Sequence, residues 1–84
     1  MKRVEINGAR LTTEESVHEA LALALELPEW YGRNLDALHD CLTELRDVEL
    51  VRIGWSDEGY QARVRRVILD AVWHNDHLAL KIVD

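Results

Sequence analysis

The sequence predicts a small two-layer α/β domain, with a three-stranded parallel sheet packed against helices. Short β-like runs alternate with stretches of helical periodicity, and strands joined through helices favour parallel pairing with right-handed crossovers. The chain has 84 residues, 48% hydrophobic and 31% charged, a composition that suits one globular domain over residues 1–84. Three strands are few, so the helices must cover one face of them. A chain this short buries only about 60–65% of its unfolded surface, which leaves a thin stability margin.

Each element has a local reason. Arg3 to Ile6 is a β-like run that stops at Asn7-Gly8, a strong turn dipeptide. Thr12 and Glu15 offer a capping box for a first helix. Val17, Ala20, Leu21, Ala24 and Leu25 then recur on one helical face until Leu27-Pro28 ends the pattern. After a connection carrying Trp30, Tyr31 and Gly32, Asn34 is a credible N-cap for a second helix running to about Leu45. Its apolar stripe is Leu35, Leu38, Leu42 and Leu45. Glu49 to Trp55 reads as a second strand, weakened at its end by Gly54. Ser56-Asp57 caps a third helix through about His74, with Tyr60, Val64, Val67, Ile68 and Ala71 facing inward, and Leu78 to Val83 closes the chain as a strand.

Composition excludes several functional classes. The longest apolar run, Ala20 to Leu25, is far short of the ~18 residues of a membrane span. The N-terminal segment has no apolar signal-peptide core, so the expected location is cytoplasmic. The single cysteine, Cys41, cannot form an internal disulfide or a multi-cysteine zinc site. It sits at the edge of the leucine stripe and is expected to be a reduced, mostly buried thiol. No cofactor is implied, since the chain has no Gly-rich phosphate loop and no nucleophile elbow.

The charge is unevenly spread. Of the net −6, residues 26–50 hold seven acids against Arg33 and Arg46, whereas residues 51–84 balance. Such a field repels nucleic-acid backbones and attracts basic partners or cations. At about 100° per residue, the leucines of the second helix share one arc. Asp36, Asp40, Thr43 and Asp47 share another, roughly opposite, with Glu44 beside them and His39 on the border. Asp36 complements the helix dipole; Asp40, in mid-helix, does not. Their i+4 neighbours are Asp40 and Glu44, and like charges at that spacing repel by a few tenths of a kcal/mol. The strip is either a plain solvated face or one kept acidic for an outside cation. Trp30 and Tyr31 lead into it. Either one is exposed as an interface anchor or both pack inward. Trp55 and Trp73 are expected to be structural.

The stretch Leu27 to Thr43, LPEWYGRNLDALHDCLT, closely resembles the corresponding stretch of the barstar family of ribonuclease inhibitors. The first strand and turn (VEING), the helix after it and the closing LALKIVD align in order, so the resemblance covers essentially the whole chain. It implies a three-stranded parallel sheet with helices, and a mode of action in which the second helix and its preceding loop plug a ribonuclease cleft. By position, Trp30 stands where the family has a contacting tyrosine. Asp36 and Asp40 match interface aspartates, Asp40 being the central one, and Asp70 matches a peripheral glutamate. With Gly32, Asn34, His39 and Thr43, these make the expected partner-binding set.

Two residues depart from the pattern: His39 and Leu45 occupy positions of interface tryptophans. Asp70 is expected to be partly neutralised by Arg66 and Arg63. The expected partner is a basic extracellular-type microbial ribonuclease or related toxin, blocked by a monomer that is not itself an enzyme. A binding module of the same fold aimed at a different basic protein is the alternative. A third reading, a metal site on Asp36, His39 and Asp40, suffers from poor convergence, and nothing in the sequence brings His18, His74 or His77 to it.

Overall fold

The computed structural model describes residues 2–83. The order is β1 (Lys2–Asn7), α1 (Glu14–Ala24), α2 (Leu35–Glu44), β2 (Val48–Ile53), α3 (Gly59–His74) and β3 (Leu78–Val83). The sheet is parallel throughout, in the order β1-β2-β3, which is the expected architecture. Both connections step the same way across the sheet, so right-handed crossovers place every helix on one face. The register agrees with this: Val4, Leu50 and Leu80 lie side by side and join helix residues in one hydrophobic core. That core is closed by Val17 and Leu21 of α1, Leu38, Cys41 and Leu42 of α2, and Val64, Ile68 and Ala71 of α3. The opposite face carries Arg3, Glu5 and Lys81, all exposed, around the buried Val51.

Several ends differ from expectation. The capping box of α1 forms one residue later, between Thr13 and Ser16. Thr13 Oγ1 accepts from the Ser16 amide, and Ser16 Oγ accepts from the Thr13 amide, each at 3.0 Å. Helix α1 also stops before Leu27-Pro28. Glu26 adopts a left-handed φ of 52°, and the Leu27 amide donates to the Ala22 carbonyl at 2.9 Å, a Schellman-type closure. At α3 the N-cap is Glu58, with no side-chain capping bond. Ser56 instead builds the turn before it, accepting the Glu58 amide on Oγ at 3.0 Å. Trp55 is structural, as expected: its indole donates to the Ile6 carbonyl at 2.9 Å. A Cβ on Gly8 would fall 2.4 Å from the Trp55 ring, so β1 and this indole can meet only over a glycine.

Trp73 is not structural. It is 85% exposed, because it lies about 200° around α3 from the buried Ala71. With Leu69, one turn earlier and also exposed, it forms an apolar pair on the outer side of α3.

The α2 face and its supports

Helix α2 is held at both ends. At its N-terminus Asn34 Oδ1 accepts the Ala37 amide at 2.8 Å, while Asn34 Nδ2 donates to the Gly32 carbonyl at 3.3 Å. A Cβ on Gly32 would sit 3.2 Å from Asn34 Nδ2 and 3.5 Å from the Ala37 Cβ, so a side chain there would press the loop off the helix. At the C-terminus the buried Asn75 donates to the carbonyls of Leu42 and Leu45 at 2.9 and 2.8 Å. Both carbonyls belong to the end of α2, where intrahelical donors run out; the Leu42 carbonyl also accepts the Leu45 amide at 3.3 Å. Asn75 itself caps α3, so one amide ties together the ends of both helices.

The loop before α2 has its own anchor. Tyr31 is buried and Trp30 is 72% exposed, which decides between the two readings of this aromatic pair. The Tyr31 hydroxyl bonds His18 Nδ1, and the Tyr60 hydroxyl meets His18 Nε2 at 2.5 Å. His18 is fully buried. A neutral imidazole donates from one nitrogen and accepts at the other, so the two tyrosines take opposite roles. Burial lowers the His18 pKa; nearby Glu14 opposes the shift and Arg33 adds to it. Burial likewise raises the pKa of Tyr31 and of Tyr60. The trio joins α1, the loop and α3, and so fixes where Trp30 projects.

Asp36, Asp40 and Glu44 are exposed along α2, and no ion pair among the described residues involves them. Other carboxylates are engaged: Glu26 with Lys2, Glu5 with Arg3, and Asp57 with Arg52 and Arg65. Thr43 is half-buried and its hydroxyl donates to the Asp40 carbonyl at 2.9 Å. Asp47, expected at the end of the strip, leaves it: it lies beyond α2 with a φ of 55° and faces His77 at 3.2 Å. Cys41 is buried under α2, and burial raises its pKa, reinforced by Glu44 and Asp40. It is a packed thiol and no nucleophile.

His39 turns sideways, toward α3. Its Nε2 lies 2.6 Å from Asp70 Oδ2, and His74 Nδ1 stands 3.6 Å from that same oxygen. Asp70 therefore pairs with two imidazoles, where Arg66 and Arg63 were expected; Arg63 lies instead over the Tyr60 ring, 5.7 Å from its centroid. Against expectation, the fold does bring His74 to His39, with their ring centroids 6.3 Å apart. An open cleft elsewhere, lined by Gly8, Leu11, Thr13, Trp55, Tyr60 and Gln61 among others, has no α2 residue in its wall.

The family profile described as Barstar (barnase inhibitor) matches residues 1–77. The chain belongs to the barstar family. A protein of Bacillus subtilis (strain 168) named "Putative ribonuclease inhibitor YrdF" is 42% identical over 53 residues, which is 63% of this chain and 58% of that relative. The chain thus spans under two thirds of the relative it matches. The barstar match ends at His77, so β3 lies outside it.

Proposed function

We propose that this chain inhibits a basic microbial ribonuclease by entering its active-site cleft with the loop 28–34 and helix α2. The observation that carries the reading is the row of exposed carboxylates at Asp36, Asp40 and Glu44, spaced one turn apart along α2 with no ion pair among the described residues to neutralise them. A ribonuclease cleft is cationic because it binds phosphate. A row of carboxylates on a capped, core-packed helix offers that cleft negative charge at little ordering cost. The surrounding acidic field speeds encounter. Trp30, held outward by the buried Tyr31 beside it, is the aromatic anchor of the contact. Gly32 gives close approach at the loop, Asn34 fixes the start of the helix, and Thr43 closes the far end of the strip. His39 and Asp70 form the flank. The chain is an inhibitor and no enzyme, acting as a cytoplasmic monomer that protects against the nuclease.

Family membership and the name of the Bacillus relative support this reading. The test is RNA cleavage by a panel of small basic microbial ribonucleases in the presence of the purified protein. Stoichiometric inhibition, abolished by Asp40→Ala, is expected. If no nuclease is inhibited across the panel, the target is a different basic toxin. One observation favours that second reading: His39 replaces a family interface tryptophan and turns to Asp70, which changes what the flank of α2 offers a partner.

A further inference from the structure

The geometry points to a binding site for one divalent transition-metal ion at the α2–α3 seam, made by His39, Asp70 and His74. One ligand atom from each residue lies within 4.8 Å of the other two. Asp70 and His74 are one turn apart on α3, so they project side by side, and His39 reaches across from α2 to complete a triangle. Two imidazoles and one carboxylate select zinc, nickel, copper or cobalt over magnesium or calcium, which prefer oxygen donors.

Two sides of the triangle are within about 0.8 Å of the spacing an ion needs, and the third, between the imidazoles, is no longer than 4.8 Å. Ligands at the ~2.0–2.1 Å bond lengths of tetrahedral zinc stand about 3.4 Å from one another. His74 Nδ1 is already 3.6 Å from Asp70 Oδ2. The contact of His39 with Asp70, now 2.6 Å, opens by about 0.8 Å to reach that spacing. All three side chains are solvent-accessible, from 34% for His39 to 58% for His74, so an ion has an entry path and the rings are free to adjust. On binding, the proton between His39 Nε2 and Asp70 Oδ2 leaves through solvent while the ring takes its proton on Nδ1, so that Nε2 meets the ion as the lone pair of a neutral imidazole. His74 Nδ1 gives up its 2.9 Å bond to the Asp70 carbonyl for the bond to the ion. Three protein ligands leave a fourth position for water. The site needs no second protein, and so stands or falls separately from the inhibitor reading. The Asp36, His39 and Asp40 combination does not compete, since His39 faces α3.

The test uses untagged protein stripped with a chelator and titrated with zinc chloride by calorimetry, and with cobalt chloride by visible absorption. One equivalent of zinc should bind, and cobalt should develop the absorption of an imidazole-ligated ion. His39→Gln and His74→Gln should each weaken zinc at least about tenfold. Asp70→Asn should do the same, while His77→Gln, at the separate Asp47 pair, should leave binding unchanged. Circular dichroism of the metal-free variants checks that each is folded. Absence of saturable binding up to millimolar zinc would overturn the site, as would equal affinity in wild type, His39→Gln and His74→Gln.

Discussion

Two histidines bridge to α3 in this molecule, and they behave as opposites. His18 reaches Tyr60 from inside the core, with Tyr31 on its other nitrogen and no solvent contact. His39 reaches Asp70 at the surface, with His74 alongside. Burial makes the first a neutral pin whose task is to hold a loop. Exposure leaves the second open to an ion or a partner's side chain. The same residue type thus serves rigidity on one side of α2 and responsiveness on the other.

The largest effect should come from breaking the pin. His18→Ala leaves a cavity and strands two tyrosine hydroxyls, so unfolding stability should drop by about 3 kcal/mol, read by urea denaturation. His39→Ala should change it by no more than about 0.5 kcal/mol. Equal losses would show that exposure does not separate the two. At the proposed partner face, Asp40→Ala should weaken binding by at least about 2 kcal/mol, a scale to which barnase–barstar itself contributes. Asp70→Ala should cost less, since Asp70 is already engaged by two imidazoles. Lys81→Ala, on the far face of the sheet, is the control for competition binding measurements. Next in size is Asn75→Ala, which removes the shared helix-end cap and should cost about 1–2 kcal/mol of stability.

The pH response sharpens the contrast further. The His18 pKa lies below its ordinary 6.5 in the folded chain. Below pH 6.5 the unfolded chain takes a proton that the folded one refuses, so stability falls as pH drops, until the folded-state pKa is reached. Above 6.5 the contribution is fully present. Denaturation midpoints between pH 8 and pH 5 should follow this slope, and His18→Gln should flatten it.

Much of this was legible in the residues. The strands and the leucine stripe of α2 follow from period and turn chemistry, and β3 spans Leu78–Val83 as read. Helix ends were less so. Thr12 and Thr13 are chemically equivalent caps, and only the packed position of α1 chooses between them. The outward side of Trp73 was available from helical geometry, because two residues from Ala71 is nearly the opposite face. The meeting of His39 with Asp70 was not. Those residues are 31 positions apart, and their contact depends on how α2 lies across α3. Asn75 was missed for the same reason, since a lone Asn after a helix reads as a local cap and not as a tie to Leu42 and Leu45.

Cys41 lies sealed beneath the exposed carboxylates of α2 and is the chain's one thiol. A thiol reagent can reach it only when α2 lifts from the core or the whole chain opens. Its labelling rate is therefore a clock for breathing of the acidic helix, with no engineered probe required. A partner clamped over α2 should slow that clock, and a ligand bound elsewhere should leave it running unless it stabilises the whole fold.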